Sequence, residues 1–596
     1  MSGRTFHGGK AYVMSDMSYT QILSSSSLRF VRTRLQALDR DSDLLAGLSH
    51  RATMELIKAV VAVSAIRPSD QTADLAERLP ALLEHLADLQ LEEGLFSGGD
   101  NLVSPPDSAF TINDLCLTLE LMQVQDCPQS VIQAVREPLF EIARRAAPAM
   151  LQGGVHTPNH RWEIASALVG LNLFLGGSEL RSRAEAWLAE GIDIQPDGLY
   201  SERSPNYAAY VTNPCLIAMS RRTGHTQYLD LVERNLRAQV ALMRPDGMME
   251  TVQSRRQDQN RPFDPEPFLS QARLLAVVKG DPRVVRWALW LSRRRLADPA
   301  RHLAELLVDQ RLAGPLPQVD GGEDRDDRVQ EYQQSGLTRV LLSGDSWAQS
   351  SMTASIYAGS DFPDTGRVAS GLANNSTIVD FSTPGLTLET LRISPEFFGL
   401  GPLRPGHCVR QGNRLAWVMR DMRTSGYYQP LDQRFCRNDA AYRLTDEGRF
   451  FACMDFDRRR RDDLTLSTRI EVEMYPDGFN LHARFQGPVT TYTCLLALQG
   501  DQMGIRAGAR ADGNGVWRIS EAQPAEIVAG AEDDRTCLRL SIQGRPSEHP
   551  MAYDPGECYT YPGGDDAVAG QKLIYSGSTA GDLVLSARWQ RSMARA

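Results

Sequence analysis

The sequence predicts a two-part chain: an all-helical half arranged as an (α/α) toroid, then an antiparallel β-sandwich. Three observations predict it. From about Leu28 to Leu312, apolar residues recur at i, i+3 and i+4. At Gly314–Arg328 the composition turns to glycine, proline and charge. Beyond Gly336 the apolar period becomes two, in short runs separated by turn residues. The expected domains are an irregular lead-in over 1–26, the toroid over 27–313, a linker over 314–335 and the sandwich over 336–596.

The Ser-rich stretch that closes the lead-in gives way to roughly a dozen expected helices. They fall at 29–38, 44–63, 75–91, 111–124, 130–150, 162–175, 180–190, 207–221, 228–243, 267–278, 284–292 and 299–312. Short connections marked by Gly, Pro, Asp and Asn join them, as in paired antiparallel helices. Such pairs build a solenoid or a closed toroid, and the absence of a fixed-period repeat favours the toroid. In the second half, strands are expected at 336–342, 351–357, 376–381, 386–393, 414–419, 465–474, 479–485, 491–498, 515–519, 537–542 and 583–589. Asp477-Gly478, between two of these runs, signals a hairpin.

The bulk numbers exclude some function classes. The chain of 596 residues is 42% hydrophobic and 23% charged, ordinary for a globular protein. A net charge of −10 argues against a broad nucleic-acid surface. Nine scattered cysteines, with no CxxC pair, suggest neither a zinc site nor a disulfide framework. No run is long enough to span a bilayer, and the first residues lack a signal-like apolar core. A soluble protein is expected, cytoplasmic or trimmed of a secretion signal, with a homo-oligomer left open. With ten histidines and no HExxH, metal binding has little support.

Three polar clusters fall in loops between the expected helices. The first is Asn159-His160-Arg161-Trp162, just after Pro158 and ahead of an apolar helix. The second runs from Asp197-Gly198 through Tyr200, Glu202, Arg203 and Asn206 to Tyr207 and Tyr210. The third runs from Asp246-Gly247 to Arg255, Arg256, Gln257 and Asp258. They lie about one helical hairpin apart, so one rim of a toroid can carry all three. Read as structure alone, the first cluster is a capped helix with a satisfied histidine, and the arginines are a solvated face.

Read as chemistry, amide, imidazole and guanidinium donors neutralise a carboxylate, so that a proton alpha to it can be removed. Asn159 and His160 supply these donors, with Arg161 or Arg255. Tyrosine or histidine then serves as acid and base. Tyr207 and Tyr210 are at hand, and the outcome is β-elimination at a uronate. Trp162 and Tyr210 offer faces for sugar rings. A cleft for an acidic glycan requires Arg161, Arg203, Arg255 and Arg256 to be locally positive. The main rival is a toroid glycoside hydrolase with Glu202 and Asp258 as its carboxyl pair. A non-enzyme reading is a binding protein for acidic glycans. In the second half, His407, in a polar loop from Arg404 to Arg410, is a candidate to complete a cleft.

At this point the chain resembles the heparinase II/III-type polysaccharide lyases, with relatives among alginate and other uronate lyases. That resemblance implies the toroid-plus-sandwich layout and an acidic polysaccharide or oligosaccharide substrate. It implies Asn159 and His160 as carboxylate neutralisers and Tyr207, rather than Tyr210 or Tyr200, as the catalytic acid and often the base. Glu202, Arg255, Arg256 and Gln257 then line the cleft. It requires no cofactor for catalysis, although some members hold a structural metal in the sandwich. The chain departs from the family at Leu372–Asp380, where many members carry a catalytic histidine and this sequence has none. Either His407 substitutes, or Tyr207 acts alone.

Overall fold

The computed structural model describes residues 17–99, 101–319, 328–359, 375–446, 451–513, 515–531, 534–549 and 569–593. Two compact units emerge. One comprises Met1–Asp193, Tyr207–Arg237 and Pro265–Asp320; the other comprises Ile194–Asn206, Ala238–Asp264 and Gly321–Ala596.

Among the described residues, the first unit holds twelve helices of ten residues or more. They are α1 (Met17–Arg40), α2 (His50–Ile66), α3 (Leu79–Asp88), α4 (Pro105–Val124), α5 (Gln129–Gln152) and α6 (His160–Leu175). They continue with α7 (Ser178–Leu188), α8 (Asn213–Thr223), α9 (Gln227–Val240, whose last turn falls to the other unit), α10 (Leu269–Lys279), α11 (Pro282–Leu291) and α12 (Pro299–Val308). Helices α2, α4, α6, α8, α10 and α12 pack successively, and α12 returns to α2, closing a ring. Composition explains their inner place. α6 is buried continuously from Trp162 to Leu168, as a helix apolar on every side must be. α5, on the outside, buries only a stripe through Val131, Val135, Leu139, Ile142, Ala146 and Met150. α1 packs on α12, so the first and last helices complete the sixth pair.

This corrects the lead-in: 17–26, expected to be irregular, are the first turns of α1. Its Leu23 and Val31 are fully buried, and burial of these apolar residues outweighs the low helix propensity of the serine run. No helix among the described residues is long and apolar enough to cross a membrane.

Among the described residues, the second unit is built mainly on two facing sheets. The nine-stranded sheet runs Ala509–Gly513, Val516–Ile519, Gln571–Ser578, Thr491–Gly500, Leu386–Pro395, Val379–Ser382, Ser350–Tyr357, Leu337–Gly344, Val329–Tyr332. The eight-stranded sheet runs Gly504–Ala507, Ala525–Ala529, Asp534–Gln543, Leu583–Met593, Gly478–Gln486, Arg461–Tyr475, Ala416–Tyr428, Cys408–Arg410. Pairing is antiparallel except where Val516–Arg518 lies parallel to Lys572–Ile574. The period of two is plain in Arg461–Tyr475, where Leu466, Thr468, Ile470, Val472 and Met474 point inward. Phe381 of one sheet stacks on Trp589 of the other, ring centroids 4.1 Å apart.

The hairpin foreseen at Asp477-Gly478 forms with Tyr475 opposite Gly478, so its two-residue loop is Pro476-Asp477. The linker expected over 314–335 is shorter, because Val329–Tyr332 pairs with Leu337–Val340 as an edge strand; residues 320–327 lie outside the described residues. The chain also does not divide at a single point. Ile194–Asn206 and Ala238–Asp264 belong to the sandwich unit, because their polar groups bond to it. Tyr332 Oη donates to Ala238 O, Arg339 to Ala241 O and Met243 O, and Arg244 pairs with Glu389.

Candidate active site

Asn159, His160 and Tyr207 all fall in the helical unit. The turn Thr157–Asn159 leads into α6, with His160 N bonded to Thr157 O and Arg161 N to Pro158 O. Asn159 occupies the N-cap position but does not cap; its backbone is already helical (φ −66, ψ −27). Its Oδ1 accepts from Thr157 Oγ1 at 2.6 Å, while its buried Nδ2 donates to nothing among the described residues. The residue is 2% exposed. A buried amide donor left open is uncommon, and a ligand acceptor is one way to complete it. Beside it, His160 meets His156 edge to face at 4.7 Å. His156 lies four residues earlier, an HxxxH spacing present in the sequence and overlooked in reading it. No cluster of three or more metal-ligating side chains exists among the described residues.

Tyr207 is half-buried and immediately precedes a π-turn, Ala208–Thr212, which packs against α6. The structure thus brings the tyrosine's turn to the helix headed by Asn159 and His160. Single π-turns concentrate at functional positions. Tyr210, within the turn, is 47% exposed, with the Arg301 guanidinium 4.8 Å above its ring. Burial raises its phenol pKa. Arg51, at the start of α2, was missed by sequence reasoning. It pairs with Asp107 and stacks over Phe110 at 3.7 Å, and the charges of Glu163, Glu55 and Tyr207 act on it.

Two predicted substrate contacts are corrected. Trp162 is fully buried, its Nε1 bonded to Asp193 at 2.9 Å, so neither ring face is open to a sugar. Arg161 pairs with Glu190 at 2.8 Å and lies against Trp162, so its charge is already compensated.

Glu163 is the other surprise. It is buried, accepting from Asn113 Nδ2 at 2.8 Å and Cys215 Sγ at 3.2 Å. Burial pushes its carboxyl from 4.5 up to about 7, against the pull of these bonds and of Arg51. A carboxyl held above its unfolded value adds stability that is complete below about pH 4.5 and lost as pH rises through about 7. Glu163→Gln cannot ionise. Its effect on the local stability of α6 is therefore expected to be more favourable at pH 8 than at pH 5, by about 2–3 kcal/mol. Amide hydrogen exchange in α6, corrected for intrinsic rates, measures this; parallel pH profiles in both proteins would refute it.

The remaining candidates lie in the sandwich unit. The two Asp-Gly turns are built alike. Asp197 Oδ1 accepts from Leu199 N and Asp246 Oδ1 from Met248 N, while Gly198 (φ 88) and Gly247 (φ 81) take the left-handed position. Glu202 pairs with Arg256 at 3.3 Å, and its backbone carbonyl accepts from Arg255 N. Arg203, at φ 56, donates to Gly359 O and Gln334 O. Arg255 reaches Ser201 O, and Gln257 is half-buried beside it. Arg203, Arg255 and Arg256 therefore secure the loops. The locally positive cleft expected from the four arginines is not what these contacts provide.

Asp258 accepts from Ser204 at 2.7 Å and from Ser254; burial raises its carboxyl pKa. His407 is exposed at the mouth of the edge strand Cys408–Arg410, without a hydrogen bond among the described residues. Asn375 donates to Asn260 and accepts from Thr377 N, while Leu372–Asn374 lie outside the described residues.

No family model and no curated protein matches the sequence. Solved structures do. The chain is similar to a heparinase III, with TM-score 0.47 and 11% identity, covering 91% of this chain and 77% of that one. It is also similar to the Streptomyces coelicolor chondroitin AC lyase, solved in complex with chondroitin sulphate, with TM-score 0.46 and 11% identity over 98% of this chain and 78% of that one. A GH127 β-arabinofuranosidase matches at TM-score 0.33 and 10% identity, over 97% and 93%. These likenesses run along most of each chain and are loose.

Proposed function

We propose that the protein is a lyase that cleaves a uronic-acid-containing polysaccharide or oligosaccharide by β-elimination. The observation that carries this reading is the open, buried Asn159 amide beside His160, on the helix against which the Tyr207 turn packs. Asn159 Nδ2 and His160 donate to the C5 carboxylate of the sugar. The start of α6 adds the partial positive charge of its backbone N–H groups. This lowers the energy of the enolate-like state as the C5 proton leaves.

Tyr207 takes that proton as phenolate and returns it to the departing O4. The C5–H and C4–O bonds break, a C4–C5 double bond forms, and the phenolate is regenerated. Tyr210, 47% exposed, is the candidate to stack on a neighbouring sugar. His407 remains the alternative base. The hydrolase reading, with Glu202 and Asp258, is disfavoured because one carboxylate is tied to Arg256 and the other to two serines.

The test is ultraviolet absorbance of the protein mixed separately with heparan sulfate, hyaluronan, alginate, glucuronan and a pectic polymer. A rising unsaturated-uronate signal with one of them is expected, and it names the substrate class. New reducing ends without that signal would move the assignment to hydrolysis. Saturable binding without chain shortening would move it to a glycan-binding protein.

A further inference from the structure

We propose that Gln271 is a positioning residue for Tyr207, holding the π-turn Ala208–Thr212 in place through the Ala209 carbonyl. The inference rests on the reading of Tyr207 as the catalytic acid.

The need for such a group follows from the sequence. In an α-helix, the Ala209 carbonyl would accept from Asn213 N–H. Here Asn213 N–H reaches one residue further back, to Ala208 O. The next donor in a π-register would be residue 214, which is proline and has no N–H. The backbone therefore offers Ala209 O nothing from either register, and a buried carbonyl left unmet is costly.

Gln271, in the first turn of α10, supplies what is missing. Its Nε2 donates to Ala209 O at 2.7 Å, and Arg301 Nη2 adds a second bond at 3.2 Å. Gln271 is itself fixed. Its Oε1 accepts from Asn213 Nδ2 at 3.0 Å, and the same amide donates to Asn235 Oδ1 at 3.0 Å. Gln271, Asn213 and Asn235 are all buried, at 2% exposure or less. The network thus grips the turn at Ala209 and at Asn213, on both sides of the widened register. Tyr207 stands two residues ahead of the gripped carbonyl. Release of Ala209 lets the turn relax toward a regular helix, which rotates and displaces the phenol while leaving Asn159 and His160 in place on α6.

The experiment compares Gln271→Met and Gln271→Glu in the full chain, on whichever polymer gives the unsaturated product. Both lose the donor to Ala209 O when the carboxylate is ionised, while Gln271→Glu keeps an acceptor for Asn213. Should the methionine variant fail to fold, the isosteric glutamate variant carries the test. Per folded molecule, kcat is expected to fall about 10- to 100-fold with KM within about twofold, since a displaced acid leaves carboxylate binding intact. In a Tyr207→Phe background the same substitution is expected to change kcat by less than about twofold, because its effect runs through the phenol. An equal loss in both backgrounds, or loss of stability with kcat retained, would overturn the positioning role alone. Full activity in Tyr207→Phe would overturn the assignment of the tyrosine and this inference with it.

Discussion

Tyr207→Phe is expected to lower kcat by about 10³- to 10⁴-fold on the responsive polymer, with KM little changed and the fold intact. The substitution removes one hydroxyl. It leaves the π-turn bonds through Ala208, Ala209 and Asn213, which involve backbone atoms and the Gln271 side chain. Tyr207 is only half-buried, so little packing is lost. The catalytic loss is large because the same hydroxyl is assigned both proton transfers. General acid–base groups each contribute about 10²–10⁴-fold, and a shared group removes both contributions at once. If His407 were the base, Tyr207→Phe would lose only the acid's share, and His407→Ala would lose a comparable amount. With Tyr207 acting alone, His407→Ala is expected to stay within about twofold of wild type. Initial rates of unsaturated-product formation decide between them. Wild-type-like turnover by Tyr207→Phe, with circular dichroism unchanged, would sink the assignment.

The change of apolar period near Gly336 revealed the two architectures, helical then strand-built, because helix and strand periodicities are properties of single segments. Asn159 ahead of an apolar helix and Tyr207 after an Asp-Gly turn are candidates picked out by the same kind of local pattern. What escaped the sequence is decided by tertiary partners. Arg203, Arg255 and Arg256 read as a basic cluster, yet their donors meet carbonyls and Glu202, contacts far apart in the chain. Trp162, flanked by Arg161 and Glu163, looked like a surface aromatic; its burial and its bond to Asp193, 31 residues on, are tertiary. Glu163 heads an apolar run that continues to Leu171, and that alone could have flagged a buried carboxyl. The π-turn was hidden because a widened register leaves the helical pattern nearly unchanged; Pro214, one residue into the next helix, was its one local sign. The affiliation of Ile194–Asn206 and Ala238–Asp264 with the sandwich depends on contacts that no local pattern encodes.

Asn159 offers a separation of stability from activity that a structural residue would not show. Asparagine is among the best N-caps, and its loss from a capping position costs about 0.5–2 kcal/mol. Here the side chain makes no cap, and its amide nitrogen is buried without an acceptor among the described residues. Asn159→Ala removes one hydrogen bond from Thr157 and, with it, an unmet donor. These oppose each other, so the stability change is expected to stay within about 1 kcal/mol. Activity follows a different account. Loss of one preorganised donor to developing negative charge costs about 10²- to 10³-fold in kcat, and that is the expected loss for Asn159→Ala. Asn159→Asp sharpens the contrast. It retains an acceptor for Thr157 but sets a carboxylate where the substrate carboxylate must bind, so its loss is expected to equal or exceed that of alanine. Chemical denaturation and initial rates on the same three proteins make the comparison. A stability loss of several kcal/mol with kcat preserved would assign Asn159 to the fold, and the open amide would then have no part in catalysis.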